Sequence, residues 1–194
     1  MFQGESFMKK PSRIVISVLS TIAVLAIIVL IFIFSGLYNI AATEPHNPLI
    51  GWAFSTIQER SIKTLAPDDA AVQASEELFE GYQKFSAMCV LCHGSPTRTR
   101  WEPARYMLPQ PPNLKEEAAE WSLAELVWIV EHGLKMTGMP AFGPSHSPDE
   151  IIQIATFVDT LPGFSVSEYK EFTRHPPTEA PMEEEEEIKD FEKE

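Results

Sequence analysis

An all-α architecture is what this 194-residue sequence predicts, on three observations. Ile14 to Tyr38 is a run of apolar and small residues without a single charge. Two later stretches open on capping boxes, Ser122 to Glu125 and Ser147 to Glu150, each followed by apolar residues at helical spacing. Nowhere do apolar and polar residues alternate as a half-buried strand requires. One domain of ordinary size with accessory segments fits the length.

Taken in order, residues 1–13 carry Lys9, Lys10 and Arg13, and the apolar run 14–38 follows. About 25 residues at 1.5 Å each make a helix of roughly 37 Å, enough to span a hydrocarbon core of about 30 Å. The apolar part of a cleaved signal peptide is only about 7–15 residues long, and "NIAAT" is a poor cleavage site, so the run reads as an uncleaved transmembrane anchor. Basic residues before it and Glu44 after it predict a cytoplasmic N-terminus and an exported remainder. "MKKPSR", from Met8, has the character of a bacterial n-region. The expected location is therefore the bacterial inner membrane, single-pass, with the exported part in the periplasm.

Residues 39–67 read as a linker, in which Leu49 to Leu65 is a candidate juxtamembrane helix. Ile57, Ile62 and Leu65 are its apolar residues, with Arg60 and Lys63 placed to meet headgroups. Residues 68–163 carry the firm helical signals. Asp68 or Asp69 is placed to cap a first helix to about Leu91, with Val72, Leu78, Tyr82, Phe85 and Met88 on one face. The Ser122 box opens a second helix that stops at Gly133, and the Ser147 box, with Pro148 behind it, opens a third that stops at "LPG". Ser95 to Asn113 is a Pro-rich loop without periodicity. Loops this long leave so small a domain a thin core, which a bulky apolar guest inside would complete. Residues 164–194, with Pro176, Pro177, Pro181 and the run Glu183 to Glu187, predict a disordered acidic tail. Its functional reading is steering toward a basic partner, and its plainer reading a solvated end. A net charge of −13 argues against nucleic acid.

The two cysteines, Cys89 and Cys92, stand within "AMCVLCHGSP". A disulfide, half a zinc site, a thioredoxin-like pair and a haem attachment site compete for them. Two cysteines are too few for a disulfide scaffold or for a thiolate zinc cage, and a thioredoxin-like pair would come with strands. C-x-x-C-H, by contrast, supplies two thiols to tether a haem c and an imidazole, His93, to reach its iron.

With Gly81 eight residues before Cys89 and Phe85 four before it, Asp68 to Gly163 resembles a class I c-type cytochrome, here in its membrane-anchored, single-haem, bacterial form. The resemblance implies that Gly81 lets the first helix cross the last against Phe157 and Val158. It implies a methionine as second axial ligand: within "HGLKMTGMPAFG" Met139, in "GMP", matches the family position, and Met136 is the other choice. It also implies a proline carbonyl supporting His93, from Pro109, Pro111 or Pro112. His46, His132, His146 and His175 read as surface or supporting residues. Trp101, Tyr106, Trp121 and Trp128 read as core or haem-pocket packing. The expected function is single-electron transfer between respiratory-chain partners, as a tethered carrier or as a subunit of a quinol-oxidising or terminal-oxidase complex, with no catalysis of its own. The alternative is a haem enzyme or gas sensor, peroxidase-like, with a labile distal Met139.

Overall fold

The computed structural model describes residues 12–174, and the chain divides into two units between Glu44 and Pro45. In the first unit α1 runs Arg13–Phe34, opened by Ser12, whose hydroxyl accepts the Val15 N–H. None of its residues is buried. At 22 residues it is about 33 Å long, enough by length and composition to cross a membrane. The apolar run reaches Tyr38 but the helix ends at Phe34, where Ser35 Oγ donates to the Phe32 carbonyl at 2.7 Å and Gly36 turns to φ +65°.

The second unit holds α2 (Pro48–Leu65), α3 (Leu78–Met88), α4 (Val90–His93), α5 (Leu114–Glu117), α6 (Leu123–His132), α7 (Pro148–Thr160) and α8 (Val166–Arg174). Among the described residues the only β pairing is one isolated bridge, Ser95 to Arg98. Both expected capping boxes are formed: Ser122 and Glu125 open α6, and Ser147 and Glu150 open α7. The centre of the fold is α7, whose Ile151, Ile154, Phe157 and Val158 are buried, with α3 and α6 packed against it. α3 crosses α7 at Gly81. A Cβ there would run into the Gln153 carbonyl oxygen and come within 3.0 Å of Phe157 Cβ, so only glycine permits the approach. One turn on, Phe85 is fully buried with its ring centroid 5.2 Å from that of Phe157.

Four features differ from the sequence expectations. The first helix starts at Leu78, not at Asp68 or Asp69. Asp69–Ala71 makes one 3-10 turn, and the chain then follows α7, held by the Ser75 N–H on Thr156 Oγ1 at 3.0 Å and by Gln153 Nε2 on the Glu77 carboxylate. These tertiary bonds compete with local capping. The packed domain also runs on past Gly163. α8 puts Tyr169, 3% exposed, and Phe172 into an aromatic cluster with Tyr82, Phe157 and Phe164. Its start carries a third capping box, in which Ser165 and Glu168 exchange bonds of 2.8 and 3.2 Å. Residues 175–194, which include Glu183 to Glu187, lie outside the described part.

Third, Trp101 and Tyr106 are not packed in the core: they are 56% and 72% exposed. Fourth, α2 is applied to the domain. Asn47 caps it and Ala66, held extended by Pro67, ends it. It packs against α6 with Ile62 buried, while Leu49, Trp52 and Ile57 remain exposed on its other faces.

Candidate haem site

α3 breaks at Cys89, which closes that helix and opens α4; Gly94, at φ +73°, ends α4 directly behind His93. The short turn thus brings Cys89, Cys92 and His93 onto one cavity of about 580 Å³. That lies within the roughly 300–1,000 Å³ usual for cofactor sites. Leu126, Ile129, Val130, Leu134, Ile154 and Val158 make most of its wall apolar.

The two thiols are free. Burial pushes the Cys89 thiol up to about 12, with the neighbouring Cys92 adding to the effect. At neutral pH Cys89 is then an un-ionised thiol, which does not suit the nucleophile of a redox dithiol. Among the described residues no three His, Cys, Asp or Glu side chains gather in a way that would hold a metal ion by themselves.

His93 Nδ1 donates to the Pro112 carbonyl at 3.0 Å. A carbonyl only accepts, so the proton sits on Nδ1 and the lone pair of the neutral ring is on Nε2. Burial holds the imidazole below its ordinary pKa, and the Pro112 bond opposes this in part. The neutral ring that a metal requires is thereby favoured. Of the three prolines left open by the sequence, Pro112 is the one that bonds His93.

Met139 reaches the same cavity from the α6–α7 loop. Gly133, at φ +63°, turns the chain out of α6; a Cβ there would lie 2.6 Å from the Pro140 carbonyl carbon. Thr137 Oγ1 bonds the Leu134 carbonyl at 2.7 Å and accepts the Met139 N–H at 3.0 Å. The loop then returns onto α6 through Phe142 N–H to Val130 O and Gly143 N–H to Glu131 O. Met136, at φ +61° and 74% exposed, does not line the cavity.

The histidines sort clearly. His132 bonds the Trp128 carbonyl and stacks on that indole at 4.8 Å, His146 bonds Ser145 and the Phe142 carbonyl, and His46 lies beside Phe54. None of the three lines the cavity, and His175 lies outside the described residues. Trp121 lines the cavity, whereas Trp128 does not.

Two contributions escaped sequence reasoning. Met107, from the Pro-rich loop, lines the cavity and lies so close to Gly138 that a Cβ there would strike its Cε. Ser55, Gln58, Glu59 and Ile62 of α2 also line it. The closeness of Gly138 hints at the first; no local pattern announces the second.

A turn that offers two free thiols and a neutral imidazole to one apolar cavity, in an all-helical domain, defines the class: a c-type cytochrome domain, which binds one haem c covalently. The sequence comparison agrees, residues 76–158 matching the family described as cytochrome c oxidase, cbb3-type, subunit III. No curated protein and no solved structure matches the chain.

Proposed function

We propose that this protein is a membrane-anchored monohaem cytochrome that passes single electrons between respiratory-chain partners, as a tethered carrier or as a subunit of a quinol-oxidising or terminal-oxidase complex. The observation that carries this reading is the joint presence of His93 and Met139 in one apolar cavity with Cys89 and Cys92. When bound, haem c supplies an iron that accepts and releases one electron. Cys89 and Cys92 would hold the porphyrin through thioethers, and His93 Nε2 and Met139 Sδ would hold its iron. Pro112 fixes the imidazole orientation, the bonds of Thr137 order the Met139 loop, and the apolar wall keeps water out.

α1 and the basic residues ahead of it support a single-pass anchor with a cytoplasmic N-terminus and a periplasmic haem domain. Leu49, Trp52 and Ile57, exposed on α2, support contact of that face with a lipid surface.

The full-length protein, purified in mild detergent, is expected to give a positive pyridine haemochrome and, when oxidised, a Met-to-iron charge-transfer band. Reduced protein is expected not to bind CO. Rapid CO binding would replace the carrier with a haem enzyme or sensor, because it needs a vacant or labile position where Met139 is assigned.

A further inference from the structure

α2 lies outside the matched stretch 76–158, yet it supplies part of the cavity wall. Its grip on the domain is specific. Ile62 is 2% exposed, and Lys63, paired with Glu59 at 2.7 Å, sits 5.9 Å from the Trp121 ring centroid.

The cavity's polar side chains are mostly spoken for. Ser55 Oγ donates to the Trp52 carbonyl, Gln110 Nε2 to the Arg105 carbonyl, and Thr137 Oγ1 to the Leu134 carbonyl. Glu59 is engaged by Lys63, and Glu117 accepts the Asn113 N–H. The half-buried Gln58 differs: its amide has no hydrogen-bond partner among the described residues. The Trp121 indole N–H is likewise unpaired, but it belongs to the matched stretch; Gln58 is the donor that the additional helix brings.

Haem c is apolar over most of its surface and carries two carboxylates at one edge. An amide in an otherwise apolar wall suits that edge, whereas the cavity's own carboxylates, Glu59, Glu117 and Glu120, cannot donate to it once ionised. We propose that α2 is a working wall of the haem cavity and that Gln58 is a positioning residue, donating from Nε2 to a haem carboxylate. A donor there withdraws negative charge from the haem edge and so disfavours the more positive, oxidised iron. Gln58 thus raises the reduction potential.

This inference rests on the cytochrome reading, and the experiment separates the two. Holoprotein of full length is prepared as wild type, Gln58→Ala and Gln58→Glu, with haem content checked by pyridine haemochrome and fold by circular dichroism. Resonance Raman in the carboxylate-bending region and a redox titration are then compared. The expected result is a shifted bending band and a lower midpoint potential in Gln58→Ala, with a larger fall in Gln58→Glu, at unchanged haem content. Loaded variants whose bending band and potential match wild type overturn the role of Gln58 and leave the cytochrome standing. A wild-type protein without haemochrome overturns both.

Discussion

His93 reaches the cavity from a helical turn, whereas Met139 reaches it from a loop, and the two are held by different means. On the His93 side the backbone does the work. α3 is pressed onto α7 at Gly81, the cysteines bracket a short helix, and one bond to Pro112 completes the setting. On the Met139 side no helix passes through the methionine. A left-handed glycine, a threonine hydroxyl and two returns onto α6 define where the thioether lies. A residue embedded in secondary structure inherits its position from hydrogen bonds made for other reasons, whereas a loop residue depends on each of a few separate contacts.

The largest effects test the two proposed ligands. His93→Ala is expected to abolish the low-spin spectrum and to leave little matured protein, read by haem staining and visible absorption. Met139→Ala is expected to keep the covalent haem, lose the charge-transfer band and bind CO when reduced. Met136→Ala, the exposed neighbour, should leave both properties at wild-type values. A Met136 variant that binds CO would reverse the assignment between the two methionines.

Next come the two glycines. Gly81→Ala forces a Cβ against the Gln153 carbonyl, a backbone atom that cannot swing away, and is expected to cost about 3 kcal/mol in denaturant unfolding. Gly133→Ala places a Cβ on a left-handed residue against Pro140 and is expected to cost about 1–3 kcal/mol. The comparison predicts a further difference: Gly133→Ala weakens the charge-transfer band through the Met139 loop, while Gly81→Ala lowers stability with the band intact. Equal spectral effects from both would mean that the two sides are not separately held.

A smaller effect concerns pH. Hydrogen bonds from Ser147 and Ser165 hold the Glu150 and Glu168 carboxyls below their ordinary pKa. Groups with a lowered folded pKa contribute stability that is present above the unfolded value and lost as pH falls through the folded one. Acidification through the carboxylate range should therefore loosen the first turns of α7 and α8, seen as faster amide exchange there. Glu150→Gln should remove the pH dependence at α7 and leave that at α8.

The smallest effect belongs to the acidic tail. If the run steers the protein toward a basic partner, deleting Glu183 to Glu187 should slow electron exchange at low salt. The difference should vanish near 1 M salt, where the Debye length is only about 3 Å. An unchanged rate at low salt would leave the run as solvated chain.

How much of this was readable in advance follows from the range of each interaction. The capping boxes at Ser122 and Ser147 were legible because each closes within four residues. The Ser165 box has the same form and was equally legible, but Tyr169 and Phe172 look like tail residues until Tyr82 and Phe157 are seen beside them. The true start of α3 was not legible, because what holds residues 72–77 off the helix is Thr156 and Gln153, some eighty positions away.

By itself the sequence determined that the protein is helical, that a charge-free stretch near its start is long enough to span a bilayer, and that Cys89, Cys92 and His93 form one chemical unit. These are local matters of periodicity, length and spacing within a turn. Only the tertiary structure decided that Pro112 rather than Pro109 or Pro111 supports His93, that Met139 and not Met136 faces the cavity, and that α2 closes part of the wall. Each depends on a distance between segments far apart in the chain, and such distances are set by packing against α6 and α7.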